Sequence, residues 1–131
     1  MPQQTEQKPR QATARTIEAT EVHRRLEAGE DLLLVDLMPP SQYLLIHIPG
    51  AISIPLDYLH DVLEYLPRDK DIILYCTDEK CEFSEIGARK LALHGFTNVL
   101  LIPGGMAEWE AAGFPLATVL LRPDEEAHHH H

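Results

Sequence analysis

Cysteine is scarce in this chain: Cys76 and Cys81 are the only two. That is too few for the disulfide framework with which small secreted domains hold themselves together, so a reducing cytosol is the expected setting. Basic residues are also short, with 11 Lys and Arg against 21 Asp and Glu and a net charge of −10. Nucleic-acid binding rests on clustered positive charge, so no nucleic-acid partner is expected. No hydrophobic run approaches the roughly 20 residues that span a bilayer, and the polar N-terminus lacks the apolar stretch of a secretory signal; no membrane association is expected. Aromatics make up only 6% of the chain, so the single tryptophan, Trp109, and nearby Phe114 are expected as core anchors of the last helix rather than ligand stackers.

Metal chemistry has little to build on. His128 to His131 look like part of an expression tag and are set aside as ligands. His23, His47, His60 and His94 form no His-x-x-x-His pair, and two cysteines are half a tetrahedral set. No metal and no cofactor are expected.

What is present is an alternation of short apolar runs with helical patterns. Leu32 to Val35 is a continuous apolar run of strand length, suited to a strand buried on both faces of a parallel sheet, and Asp71 to Tyr75 and Val99 to Ile102 are expected as further strands. A brief strand is expected at Ala51 to Ile54, and another near Ile17. Thr20 is expected to cap a helix stopped by Gly29, and Pro39-Pro40-Ser41 to break the chain and start a short helix through Tyr43 and Leu45. Asp57 is expected to cap a helix carrying Leu59, Val62, Leu63 and Leu66. The period of Ile86, Ala88, Leu91 and Ala92, ending at Gly95, marks a helix after Ser84, and a last short helix runs from about Met106 to Ala112. This order predicts one α/β domain over residues 16–118, a three-layer sandwich around a mainly parallel sheet of about five strands. Residues 1–15 read as a disordered arm and residues 119–131 as a tail.

Ligand sites in such sheets fall beyond the carboxyl ends of the strands. The clearest strand delivers the chain there into Cys76. A thiol at a strand-to-helix loop meets backbone N–H groups and a helix N-terminus, both of which favour the nucleophilic thiolate. The alternative is a small buried hydrophobe that merely finishes the strand. Opposing ionisation are the carboxylates of the loop Cys76-Thr77-Asp78-Glu79-Lys80-Cys81-Glu82-Phe83-Ser84. One carboxylate about 6 Å away costs a thiolate roughly 0.7 to 3 kcal/mol at an effective dielectric of 80 to 20, and a helix terminus returns about 0.3 to 2 kcal/mol. Which of the two prevails depends on where the acidic side chains point.

Four separated segments together resemble the rhodanese family: Leu33-Leu34-Val35-Asp36; His47-Ile48-Pro49-Gly50-Ala51-Ile52; the strand ending Leu74-Tyr75-Cys76; and Gly104-Gly105-Met106 with Trp109 and Ala112-Gly113-Phe114-Pro115. The resemblance implies a rhodanese-like fold. It also implies that Cys76 is the loop cysteine that accepts a sulfane sulfur as a persulfide and passes it to a thiophilic acceptor, with loop amides from Thr77 to Ser84 cradling it. A small sulfur donor and a thiol acceptor or partner protein are the implied partners. His47 is expected to shape a buried turn, and Asp36 to bond neighbouring backbone N–H groups and steer the next loop. Family loops commonly carry arginine or other basic residues, and an arginine often stands two residues after the aspartate, where this chain has Met38. Thiosulfate, a dianion, is therefore expected to be a poor substrate, and the missing guanidinium weighs against phosphatase or arsenate-reductase chemistry. Cys81 invites a resolving role, forming a disulfide with Cys76. The competing expectation is a non-catalytic or redox-sensing module that uses the same two cysteines.

Overall fold

The computed structural model describes residues 15–119; the expected N-terminal arm, apart from its last residue, and nearly all of the expected tail, tag included, lie outside the described residues. Helix α1 (Ala19–Glu27), strand β1 (Leu33–Asp36), helix α2 (Pro40–Leu45), strand β2 (Ile52–Ser53), a 3₁₀ segment (Leu56–Tyr65), strand β3 (Ile72–Tyr75), helix α3 (Phe83–Leu93), strand β4 (Val99–Leu101) and helix α4 (Gly105–Ala111) follow in order. The strands form one parallel sheet in the order β2-β1-β3-β4. Every residue of β3 is buried, because β3 is an interior strand covered on both faces.

The period of two along each strand divides the interior into two cores. Val35, Ile72, Leu74, Val99 and Leu101 face Leu59 of the 3₁₀ segment and Ala88 and Leu91 of α3. Leu34, Ile73, Tyr75, Leu100 and Ile102 face Ala19 and Val22 of α1 and Trp109 of α4. Trp109 is buried and donates its indole N–H to the Pro115 carbonyl at 2.8 Å, and Phe114 packs against its ring, so both aromatics anchor the core as expected.

Three local expectations change. Among the described residues the sheet has four strands rather than about five; in place of a strand near Ile17 there is a parallel bridge from Thr16 to Leu101, with Ile17 N–H donating to the Leu101 carbonyl at 2.9 Å. Helix α1 starts one residue before Thr20 and has no side-chain cap of its own. Its first N–H, on Ala19, donates instead to Glu108 Oε2 at 2.7 Å, while Glu108 Oε1 accepts from Gly104 N–H at 2.9 Å. One carboxylate thus serves the starts of two helices, itself 89 residues from Ala19, a pairing that local pattern does not reveal. The segment expected as a helix capped by Asp57 is a helix of the 3₁₀ type, entered from Pro55. At about 2.0 Å rise per residue against 1.5 Å, it carries the chain farther than an α-helix of equal length.

Candidate active site at the end of strand β3

The backbone at the end of β3 is held from both sides. The Tyr75 carbonyl accepts from Leu37 N–H at 3.2 Å, the Cys76 carbonyl from Met106 N–H at 2.8 Å, and the Thr77 carbonyl from Ala107 N–H at 2.9 Å. The first turn of α4 therefore pins the residue that opens the loop. That approach is possible because position 105 is glycine, with φ +59 and with no room for a side chain: a Cβ there would lie 2.3 Å from the Cys76 carbonyl oxygen.

Beyond this anchor the loop folds back over the sulfur. Asp78 Oδ1 accepts from Lys80 N–H at 3.0 Å and the Asp78 carbonyl from Cys81 N–H at 3.1 Å, an Asx-type turn of the kind aspartate favours. The turn aims the Cys81 carbonyl inward, where it accepts from the Cys76 thiol at 3.4 Å. Ser84, in the first turn of α3, places its hydroxyl 3.8 Å from the same sulfur, and its backbone N–H also faces the sulfur. Cys76 is 1% exposed, whereas Cys81 is partly exposed and both are free thiols.

These contacts decide the ionisation of Cys76. Burial first, and the Cys81 side chain second, push its thiol from 9.0 up to about 11, against the opposing pull of the Ser84 N–H and hydroxyl. None of its leading causes is a carboxylate of the loop. The contest expected between loop carboxylates and loop amides is thus settled largely by desolvation. Of the amides expected to cradle the sulfur, that of Ser84 faces it, while those of Lys80 and Cys81 are spent on Asp78. A thiol raised this far holds about a hundredfold less thiolate at neutral pH than an unperturbed one. Alkylation of Cys76 by iodoacetamide is accordingly expected to run at least about a hundredfold slower at pH 7 than that of an unperturbed thiol, and to rise about tenfold per pH unit until near pH 11. A plateau below about pH 9 in a rate measurement across pH would contradict this.

The other expected residues fall around this centre. Glu82 occupies the position just before α3, and Phe83 packs its side chain against the core on the α3 side. Asp78, Glu79 and Lys80 line one side of a cleft of about 490 Å³, with Pro103, Gly104 and Glu108 opposite. Asp36 pairs in register with Tyr75, one residue before the cysteine. It is 1% exposed; Oδ1 accepts from Met38 N–H at 2.8 Å, and burial raises its carboxyl above the usual carboxylate range, against the opposing pull of the Tyr75 hydroxyl and the Met38 N–H. His47 lies farther off, pairing its backbone with Ala117, stacking on Tyr43 and donating Nδ1–H to the Tyr43 carbonyl at 2.7 Å. The turn that His47 begins is tied to β3 by Tyr75, whose buried hydroxyl accepts from Ile48 N–H at 2.9 Å. The sequence reading missed Tyr75 in this role, and missed Glu108. The Gly104-Gly105 pair was the visible signal for the anchor of the Cys76 carbonyl.

A parallel α/β sheet with a buried thiol at the carboxyl end of an interior strand, roofed by a loop that leads into a helix, defines a class of single-cysteine sites on doubly wound domains. Within that class the chain belongs to the rhodanese-like domain family, whose model matches residues 18–112. It is similar to a protein named sulfurtransferase from Allochromatium vinosum, 28% identical over 100 residues that cover 76% of this chain and 92% of that one. It is 41% identical over 100 residues to the HTH-type transcriptional regulator Rv0324 of Mycobacterium tuberculosis, covering 76% of this chain but only 43% of the regulator. The solution structure of the rhodanese-like domain of the Alr3790 protein from Anabaena superposes with a TM-score of 0.70 at 30% identity, covering 79% of this chain and 78% of that domain. Among the described residues no helix is long and apolar enough to cross a membrane.

Proposed function

We propose that this domain carries a sulfane sulfur as a persulfide on Cys76 and passes it to a thiol, either a small thiol or a cysteine of a partner protein. The observation that carries the reading is the buried Cys76 sulfur at the end of β3, with the Ser84 N–H and hydroxyl directed at it. In the loading step the Cys76 thiolate attacks the outer sulfur of a hydropersulfide R–S–SH, giving Cys76–S–SH and releasing R–S⁻. In the unloading step an acceptor thiolate takes that outer sulfur and returns Cys76 to thiolate. Loading moves the loop: a second sulfur stands about 2.05 Å from the first, while the Cys81 carbonyl and the Ser84 hydroxyl already stand at 3.4 and 3.8 Å. Opening the loop relieves the burial that chiefly raises the thiol and removes the carbonyl that accepts its proton, so donor entry and activation of the nucleophile are one event. A reducing cytosol is the proposed setting.

Donor choice tests the reading. The loop presents Asp78, Glu79 and Glu82 against Lys80 alone, so a dianion meets repulsion that a small hydropersulfide escapes. Turnover with thiosulfate at physiological salt is expected to fall at least about tenfold below turnover with cysteine persulfide, whose carboxylate is balanced by its ammonium, and added salt should narrow the gap by screening. Equal or faster turnover with thiosulfate would refute the donor assignment.

The 41% identity to a protein named as a transcriptional regulator favours a second reading, a sensory module that is modified at Cys76 without handing the sulfur on. Persulfide formation with no transfer to cyanide or to thiols would favour it over the carrier.

A further inference from the structure

The sulfur of Cys76 touches one residue of its own loop through a carbonyl oxygen, and that residue is the second cysteine. The Asp78 turn brings the backbone of Cys81 to 3.4 Å from the Cys76 Sγ. The two thiols differ in access, since Cys76 is buried and Cys81 is partly exposed. The loop is closed around the inner sulfur, and the outer sulfur of a persulfide has to displace the very peptide that carries Cys81. The Cys81 side chain itself acts on the Cys76 thiol, so a Cys81 whose peptide is pushed aside by the outer sulfur still lies beside the inner one. From these placements we infer that Cys81 is a second reacting thiol, which attacks the inner sulfur of a persulfide on Cys76 and expels hydrosulfide.

The step rests on the persulfide reading and balances without an external oxidant. The Cys81 thiolate forms a bond to the Cys76 Sγ, the bond between that Sγ and the outer sulfur breaks, and the outer sulfur leaves with its hydrogen as HS⁻. Both cysteines end in a disulfide, oxidised by the sulfane sulfur, which is reduced to the sulfide level. The hydropersulfide donor supplies the oxidising equivalent. A loaded domain that meets no acceptor thus discharges itself and waits, as a disulfide, for a thiol reductant. Cys81 sets how long the sulfur is held.

The experiment treats reduced wild-type protein and Cys81→Ser with glutathione persulfide without oxygen, removes the donor, and records intact mass, non-reducing peptide maps and released sulfide over time. Cys81→Ser is expected to keep a gain of ~32 Da, one sulfur, on Cys76. Wild type is expected to lose that gain, to end ~2 Da below the reduced mass with a Cys76 to Cys81 crosslink, and to release one sulfide per crosslink. A wild-type persulfide as long-lived as that of Cys81→Ser, with no crosslink, would overturn the role of Cys81 and leave the carrier reading standing. If neither protein gains sulfur and no crosslink forms, both readings fall together.

Discussion

Replacing Cys76 with serine is expected to reduce sulfur transfer from a hydropersulfide donor to the uncatalysed level, a fall on the order of 10³ or more, while the domain stays folded. The reason for the large loss is chemical: a serine hydroxyl cannot form a persulfide, and removal of a covalent nucleophile leaves only what binding supplies. The reason for the small structural cost lies in the site. A hydroxyl at this position retains the Cys81 carbonyl as acceptor and Ser84 as neighbour, so the substitution should cost about 1 kcal/mol, or about 4 to 8 °C in melting temperature for a domain of this size. Steady-state transfer to cyanide, recorded beside thermal unfolding, reads both numbers. A variant that keeps more than about a tenth of the wild-type rate would move the chemistry away from Cys76.

The largest effect on stability is expected at Gly105, which links the fold to the site. Gly105→Ala places a methyl group 2.3 Å from the Cys76 carbonyl oxygen and 2.9 Å from the carbonyl carbons of Cys76 and Thr77, all of them backbone, at a φ of +59. None of these atoms is the end of a flexible side chain, so relief requires α4 to withdraw from the loop and give up the Met106 and Ala107 hydrogen bonds. A loss of about 2 to 4 kcal/mol in urea unfolding is expected, with faster alkylation of Cys76 as the closed loop loosens. Gly113→Ala is the control. Its φ is +88 but nothing lies within 4 Å of the added methyl, so only the backbone cost of about 1 kcal/mol should remain. Equal losses at the two glycines would show that the close approach to Cys76 contributes nothing.

The elements were legible where one local signal sufficed. Apolar runs bounded by Asp31 and Asp36, and by Asp71 and Cys76, gave strands within a residue of those observed, because a strand covered on both faces has no polar alternation to confuse it. Pro40 at the start of α2 and the turn glycines Gly29 and Gly95 marked boundaries by backbone chemistry alone. Contacts between distant parts were not legible. The start of α1 is satisfied by Glu108 rather than by Thr20, and the fifth strand position is reduced to the Thr16 bridge. At the site, the sequence pointed to Cys76, Cys81 and Ser84 as neighbours in one loop, and the structure brings those three together. It did not tell which way the loop backbone faces. That direction follows from the Asp78 turn, which consumes two amides and folds the loop over the sulfur; burial under that loop is the main reason the thiol is raised where composition suggested a contest of charges.

The most direct test of the central claim is a site-resolved mass measurement on Cys81→Ser and on Cys76→Ser after exposure to glutathione persulfide. The account predicts a single added sulfur, ~32 Da, on the peptide containing Cys76 in the first protein, which a thiol acceptor then removes, and no transferable sulfur in the second. Transferable sulfur on Cys81 when Cys76 is absent, or an unmodified Cys76 in the first protein, would contradict it.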